Sequence, residues 1–167
     1  VSGGAAPAAG AGLPAGPAPM AVIEDSGSPY RTAIGYQALV SNTTEGYYNT
    51  ASGWRALAAN TTGYYNAASG YRALYSNTTG SSNTASGASA LLSNTTGWYN
   101  TASGSQALFS NTTGGSNTAS GSYALSSNTM GDSNTASGSA ALYFNTTGTS
   151  NTASGQAGHA YQGRIFR

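Results

Sequence analysis

From residue 31 onward one unit of 17 residues returns eight times, and so short a period restricts the chain to a stack of near-identical coils. Units begin at Arg31, Asn49, Asn66, Asn83, Asn100, Asn117, Asn134 and Asn151, the first being 18 residues long because Glu45 is inserted between Thr44 and Gly46. The shared pattern is N-T-A-S-G-x-x-A-L-x-S-N-T-T-G-x-x. Its third position is alanine in all eight copies (Ala33, Ala51, Ala68, Ala85, Ala102, Ala119, Ala136, Ala153), and its fifth is glycine in all eight, from Gly35 to Gly155. The ninth is leucine in seven: Leu39, Leu57, Leu74, Leu91, Leu108, Leu125 and Leu142. The sixth, seventh, tenth, sixteenth and seventeenth accept residues from glycine to tryptophan. Fixed small residues beside variable ones imply a tight interior and an open surface. A single unit cannot bury a core of its own, whereas stacked copies can.

Two glycines per unit, with Ser, Thr and Asn competing for backbone hydrogen bonds, argue against helix. Segments such as Asn83 to Ser86 and Ser89 to Leu92 read as short strands. In Ser76-Asn77-Thr78-Thr79-Gly80 the asparagine is expected to bond its own backbone two residues on, and Gly80 to supply a positive φ. Each unit thus reads as strand, glycine turn, strand, Asn-Thr-Thr-Gly turn. The expected fold is all-β: a parallel β-solenoid, or β-roll, of about eight coils, with the leucines in one column. Adjacent Ala and Leu at the eighth and ninth positions would face opposite sides of a strand, yet both are nearly fixed. Either the alanine fills a close backbone approach, or one face fills the core and the other meets a neighbouring chain. One leucine per coil supplies about 2 kcal/mol against roughly 1 to 2 kcal/mol for each residue ordered. Hydrogen bonds between coils have to supply part of the difference.

Composition removes several functions. Charged residues are 5% of the chain, net charge is +1, and the positive groups are five scattered arginines (Arg31, Arg55, Arg72, Arg164, Arg167), so no nucleic-acid footprint exists. Cysteine is absent, and no apolar run approaches the ~20 residues of a membrane span. The chain starts at Val1, which suggests a mature or trimmed product. His159 stands alone and reads as a cap residue rather than a metal ligand, while Glu24 and Asp25 read as a solvated pair in a linker. No nucleophile elbow accompanies the serines. Neither enzyme activity, cofactor nor metal is expected.

Two residue sets are candidate sites. Asn42, Asn60, Asn77, Asn94, Asn111 and Asn145 head Asn-Thr-Thr triplets and are formal N-glycosylation acceptors. Turn chemistry explains the same asparagines without sugar, including Asn128, whose triplet ends in Met130. Aromatics occupy variable positions: Tyr36, Trp54 and Tyr71 at the sixth, and Tyr47, Tyr48, Tyr64, Tyr65, Trp98 and Tyr99 at the last two. Such rows either bind a surface or stack between coils, and they place any binding face in the first four units.

The ends differ from the middle. Residues 1–30 form an Ala/Gly/Pro-rich segment whose composition suits a linker, or a tail ordered by contact with another subunit. Residues 31–150 hold seven tandem repeats, and 151–167 a degenerate unit that caps the stack or joins it to another.

Segments such as Thr32-Ala33-Ile34-Gly35-Tyr36-Gln37-Ala38-Leu39 resemble repeats of bacterial trimeric autotransporter adhesin heads and related phage tail-fibre proteins. That resemblance implies a β-roll with three chains around one axis. The favoured function is a structural subunit of an extracellular or cell-surface fibre or adhesin stalk, working as a homo-oligomer or homopolymer, with surface glycans as candidate partners. An ice-binding solenoid, suggested by the uncharged threonine rows, and a glycan-binding module of a phage tail fibre are the alternatives.

Overall fold

A computed structural model of the chain describes residues 22–24, 30–43 and 45–156. It contains nine three-residue strands: β1 (Val22–Glu24), β2 (Thr32–Ile34), β3 (Thr50–Ser52), β4 (Ala67–Ser69), β5 (Thr84–Ser86), β6 (Thr101–Ser103), β7 (Thr118–Ser120), β8 (Thr135–Ser137) and β9 (Thr152–Ser154). They form one sheet in sequence order. From β2 to β9 every neighbour is parallel and in register, alanine opposite alanine, as in Ala51↔Ala68 and Ala102↔Ala119. The chain is a β-solenoid that advances one strand spacing per repeat. At ~4.8 Å per strand, the eight parallel strands span roughly 34 Å. The extra residue of the first repeat is absorbed in its turn, because Ala33 still faces Ala51. At the N-terminal edge β1 runs antiparallel to β2, with Ile23 opposite Ala33. This strand of the N-terminal segment therefore pairs within its own chain and covers one open sheet edge. Residues 1–21 and 157–167, with Asp25, His159, Arg164 and Arg167, lie outside the described residues.

Each coil has one strand where the sequence suggests two. The segment from the seventh to the tenth position is a run of turns, because the seventh and ninth residues have positive φ: 54° at Arg72 and 52° at Leu74, 56° at Gln106 and 52° at Leu108. Side-chain alternation holds only along an extended backbone, and here the chain is bent twice within three residues. Both residues of the Ala-Leu pair consequently point inward. Ala73 and Leu74, like Ala107 and Leu108, are 0% exposed in the single chain. The fixed pair needs no neighbouring chain to explain it. The turns still bond from coil to coil, as in Leu74 N–H to Ala90 O at 3.0 Å and Ser76 N–H to Leu92 O at 3.0 Å.

The glycines also act otherwise than their turn chemistry predicts. The fifth position has positive φ, 133° at Gly70, and a Cβ there would stand 2.6 Å from Gly87 O on the next coil. Gly80, at the fifteenth, is not in the left-handed region. It is glycine because a Cβ would stand 2.3 Å from Asn77 Oδ1 and 2.4 Å from Gly97 O.

Alanines of the third and eighth positions and leucines of the ninth fill one side of the interior. The opposite side is made of asparagine. Asn49, Asn66, Asn83, Asn100, Asn117 and Asn134 form one buried column at the first position, and Asn60, Asn77, Asn94, Asn111, Asn128 and Asn145 a second at the twelfth. Asn77 Nδ2 donates to Asn60 Oδ1 at 2.8 Å and to Gly80 O at 2.8 Å, three residues on rather than two. Asn66 Nδ2 reaches the same Gly80 carbonyl at 2.9 Å, so one oxygen ties the two columns together. Asn66 Oδ1 accepts from both the backbone N–H and Nδ2 of Asn83, at 3.0 and 3.2 Å. Arg31 replaces asparagine at the head of the first column and donates to the carbonyls of Asn42 and Thr43. A third column of threonine hydroxyls at the thirteenth position bonds to the next coil, as in Thr95 Oγ1 to Thr112 O at 3.0 Å.

Two stability predictions follow from these columns. Ala85→Leu, in the core, should cost about 1 to 3 kcal/mol by overpacking, whereas Ala88→Leu, on the exposed sixth position, should stay within about 0.5 kcal/mol. Asn94→Leu would leave Asn77 Oδ1, Gly97 O and Asn111 Nδ2 each short of a hydrogen bond. Asn77 Oδ1 is left without a partner, whereas Gly97 O keeps Asn83 and Asn111 Nδ2 keeps Gly114 O. At about 1 to 3 kcal/mol for the orphaned acceptor and about 1 kcal/mol for each further bond lost, the change should cost about 3 kcal/mol. Denaturant midpoints of the single variants, with exposed Ser105→Ala as reference, check both.

Candidate functional site

Three outer surfaces are built by the same stacking. The strand face comes first. In β4 to β8 the middle alanine is buried and both flanking residues are exposed, so from β5 to β8 threonine and serine stand outward in two rows, with Ala67 in the threonine's place in β4. Thr84, Thr101, Thr118 and Thr135 make one row, and Ser86, Ser103, Ser120 and Ser137 the other. Neighbours within a row are ~4.8 Å apart and the rows about 6.6 to 6.8 Å apart, from strand geometry alone. The face is flat, short and without charge.

The aromatic residues form columns. Tyr30, Tyr48 and Tyr65 stack with ring centroids 5.1 and 4.8 Å apart and planes within 6°. Tyr47 and Tyr64 stack at 5.3 Å. Tyr36, Trp54 and Tyr71 stack at 6.4 and 4.9 Å. The stacking between coils that the sequence suggests is present, and most of these rings also remain exposed. Tyr65 is 54% and Tyr71 51% exposed. The columns are then interrupted: Ser81 and Ser82 on the third coil and Ala88 on the fourth stand where Tyr64, Tyr65 and Tyr71 stand one coil earlier. Trp98 and Tyr99 occupy the last two positions of the fourth coil and meet edge to face at 5.2 Å. Trp98 covers Gly115, where an added Cβ would come within 3.2 Å of the indole.

The third surface adjoins the sixth-position column. Arg55 and Arg72 occupy the seventh position of consecutive coils, and both guanidinium groups lie on the ring of Tyr75, at 5.1 and 4.4 Å. Arg55 also lies 5.2 Å from the ring of Trp54. The Nε of each is buried without a hydrogen-bond partner.

The acceptor asparagines are placed inside. Asn60, Asn77, Asn94 and Asn111 are 0% exposed, and the Nδ2 that would carry a glycan donates two interior hydrogen bonds in each. Asn145 Nδ2 likewise donates to Asn128 Oδ1 and Gly148 O. Asn42, half-buried at the N-terminal end of its column, donates to Gly46 O at 2.6 Å. The hydroxyl that bonds between coils belongs to the thirteenth residue, not to the fourteenth that an acceptor triplet requires. Met130 accordingly fits at the fourteenth without disturbing its coil.

Sequence reasoning missed Tyr30, which precedes the first full repeat but shares the period of the seventeenth-position column. It also missed Tyr75 and the paired arginines, for which identical positions in successive repeats were the available signal. A smaller aromatic group, Tyr123, Tyr143 and Phe144, sits on the sixth and seventh coils and was overlooked because its positions vary. Among the described residues no three His, Cys, Asp or Glu side chains gather as a metal site, and no helix is long and apolar enough to cross a membrane. No family model, curated protein or solved structure matches the chain.

If the columns are stabilising as well as exposed, the central ring of a stack should matter more than an end ring. Tyr48→Ser loses two stacked partners and one edge-on partner and should cost about 1 to 2 kcal/mol, against about half that or less for Tyr30→Ser at the end of the same column, which loses a single stacked partner. Serine already occupies this position at Ser82, so both variants should fold, and thermal or denaturant midpoints read the difference.

Proposed function

We propose that this chain is a non-catalytic, extracellular structural element of the fibre or adhesin-stalk kind, whose first four coils form its contact face. The observation that carries this reading is the group of aromatic columns on the outside of a solenoid whose interior is complete in one chain. Rings that serve only stability could be buried; apart from the half-buried Tyr47, these stay exposed, from 39% at Trp54 to 73% at Tyr30. Rigid, exposed aromatic surface is a common basis for adhesive contact. The resemblance to trimeric adhesin heads and tail-fibre proteins agrees with the role, and a fibre of several chains is part of the proposal.

The test uses serines that the protein itself places on other coils. A variant with Tyr48, Tyr64, Tyr65, Trp54 and Tyr71 replaced by serine should retain the circular dichroism of the solenoid. It should lose most of the adsorption to cell-envelope preparations, or most of the assembly seen by electron microscopy, that the intact chain shows. Equal adsorption and assembly by both proteins would overturn the proposal.

The strand face favours a second reading. Uncharged threonine and serine rows on a flat parallel sheet repeat on a scale close to that of ordered water, which suits an ice-binding surface. Serine in the second row lacks the methyl group that threonine would add, and the aromatic columns have no part in that function. The fibre reading predicts no thermal hysteresis. Hysteresis abolished by Thr101→Lys, at the centre of the face, would establish the alternative.

A further inference from the structure

The strongest feature that stability does not explain is the pair Arg55 and Arg72. They are 17 residues apart, so they stand on adjacent coils about one strand spacing from each other. Both guanidinium groups rest on the one ring of Tyr75, and both Nε atoms are buried without a hydrogen-bond partner. No carboxylate among the described residues pairs with either; Asp132 accepts from the Gly115 N–H three coils further on. Two like charges side by side repel, and cation–π contact offsets only part of that. The fold does not require arginine here, since the same position holds Gln37, Ser89, Gln106, Tyr123 and Ala140 in other coils.

Tyr71 precedes Arg72 in the chain and stacks on Trp54, the ring that the Arg55 guanidinium also touches. One face of the Tyr71 ring is covered by Trp54 at 4.9 Å and 6°, while the next coil carries only Ala88 in that position, so no aromatic covers the other face. A pair of planar, permanently charged donors next to an open aromatic face suits a ligand that joins an anionic group to a flat apolar one. We propose that Arg55, Arg72 and Tyr71 form a binding site for an acidic saccharide, its carboxylate or sulfate held by the two guanidinium groups and its sugar ring resting on Tyr71. This gives the contact face a ligand and so rests on that reading. The two fail separately, because the five-serine variant can lose adsorption to envelopes even if no acidic polymer binds.

The experiment is titration of the full chain with polygalacturonate, dextran sulfate, neutral dextran and polyglutamate, followed by calorimetry or interferometry at two salt concentrations. Polygalacturonate, dextran sulfate or both should bind, at least tenfold more tightly than dextran, and more weakly as salt rises. Arg55→Gln/Arg72→Gln should lower that affinity at least tenfold without loss of the solenoid's circular dichroism, since glutamine already fits this position at Gln106. Tyr71→Ser should weaken saccharide binding several-fold. Comparing the two acidic polysaccharides identifies the anionic group. Binding to neither, or binding that survives the double arginine variant, would overturn the proposal. Polyglutamate binding as tight as either polysaccharide, with no effect of Tyr71→Ser, would overturn its saccharide part.

Discussion

The structure depends on one arrangement of buried amides. From the second repeat to the seventh, each Gly carbonyl at the fifteenth position accepts from two asparagines of its own repeat, as Gly97 O does from Asn83 and Asn94 at 2.8 and 3.0 Å. Each asparagine then bonds to its equivalent one coil away. A buried amide costs free energy unless its donors and acceptor are satisfied, and here a single coil cannot satisfy them. Only an identical coil above and below can. That requirement explains why the period is strict, why the fifteenth residue lacks a side chain, and why Arg31 replaces asparagine where the column begins. Amide ladders of this kind also resist shifts of register, since a slip by one residue would break both columns in every coil.

The amides permit a backbone that would otherwise be unfavourable. In most coils three residues other than glycine, at the seventh, ninth and seventeenth positions, have positive φ. Such conformations are uncommon for residues with a Cβ and persist only where surrounding structure determines them. Leucine at the ninth is the clearest case: its left-handed backbone turns the side chain into the interior beside alanine, so a ring of 17 residues encloses an apolar half without a second strand. The core is thin, and its narrowness is balanced by hydrogen bonding on the other side.

This division explains what the sequence could reveal. The period, the parallel stack, the buried alanine and leucine columns and the strand Thr-Ala-Ser were legible because repetition marks which positions cannot vary. The role assigned to each fixed residue was less legible. Asn77 and Gly80 have the composition of a turn, and local turn chemistry is all that one copy displays; their main partners, Asn60 Oδ1 and Gly97 O, belong to other coils. Likewise Ser89 to Leu92 has strand-like composition, and only the φ of 56° at Ser89 and 52° at Leu91 shows that the chain bends there. The aromatic columns were legible as rows at variable positions. The arginine pair was not, because pattern reading treats a residue found in two of eight repeats as noise.

In a solenoid, however, a residue shared by only two adjacent coils carries information of its own. A fixed position acts through the whole stack, while a variable one acts only on its immediate neighbours, so departures from the consensus can be grouped without disturbing the fold. Here the large departures are grouped. Tyr47, Tyr48, Trp54, Tyr64, Tyr65 and Tyr71 stack within three coils, Arg55 and Arg72 meet over Tyr75 in the same region, and the columns stop at Ser81, Ser82 and Ala88. The amide and alanine interior sets the length of the stack, and the variable positions set what each coil presents on its outside.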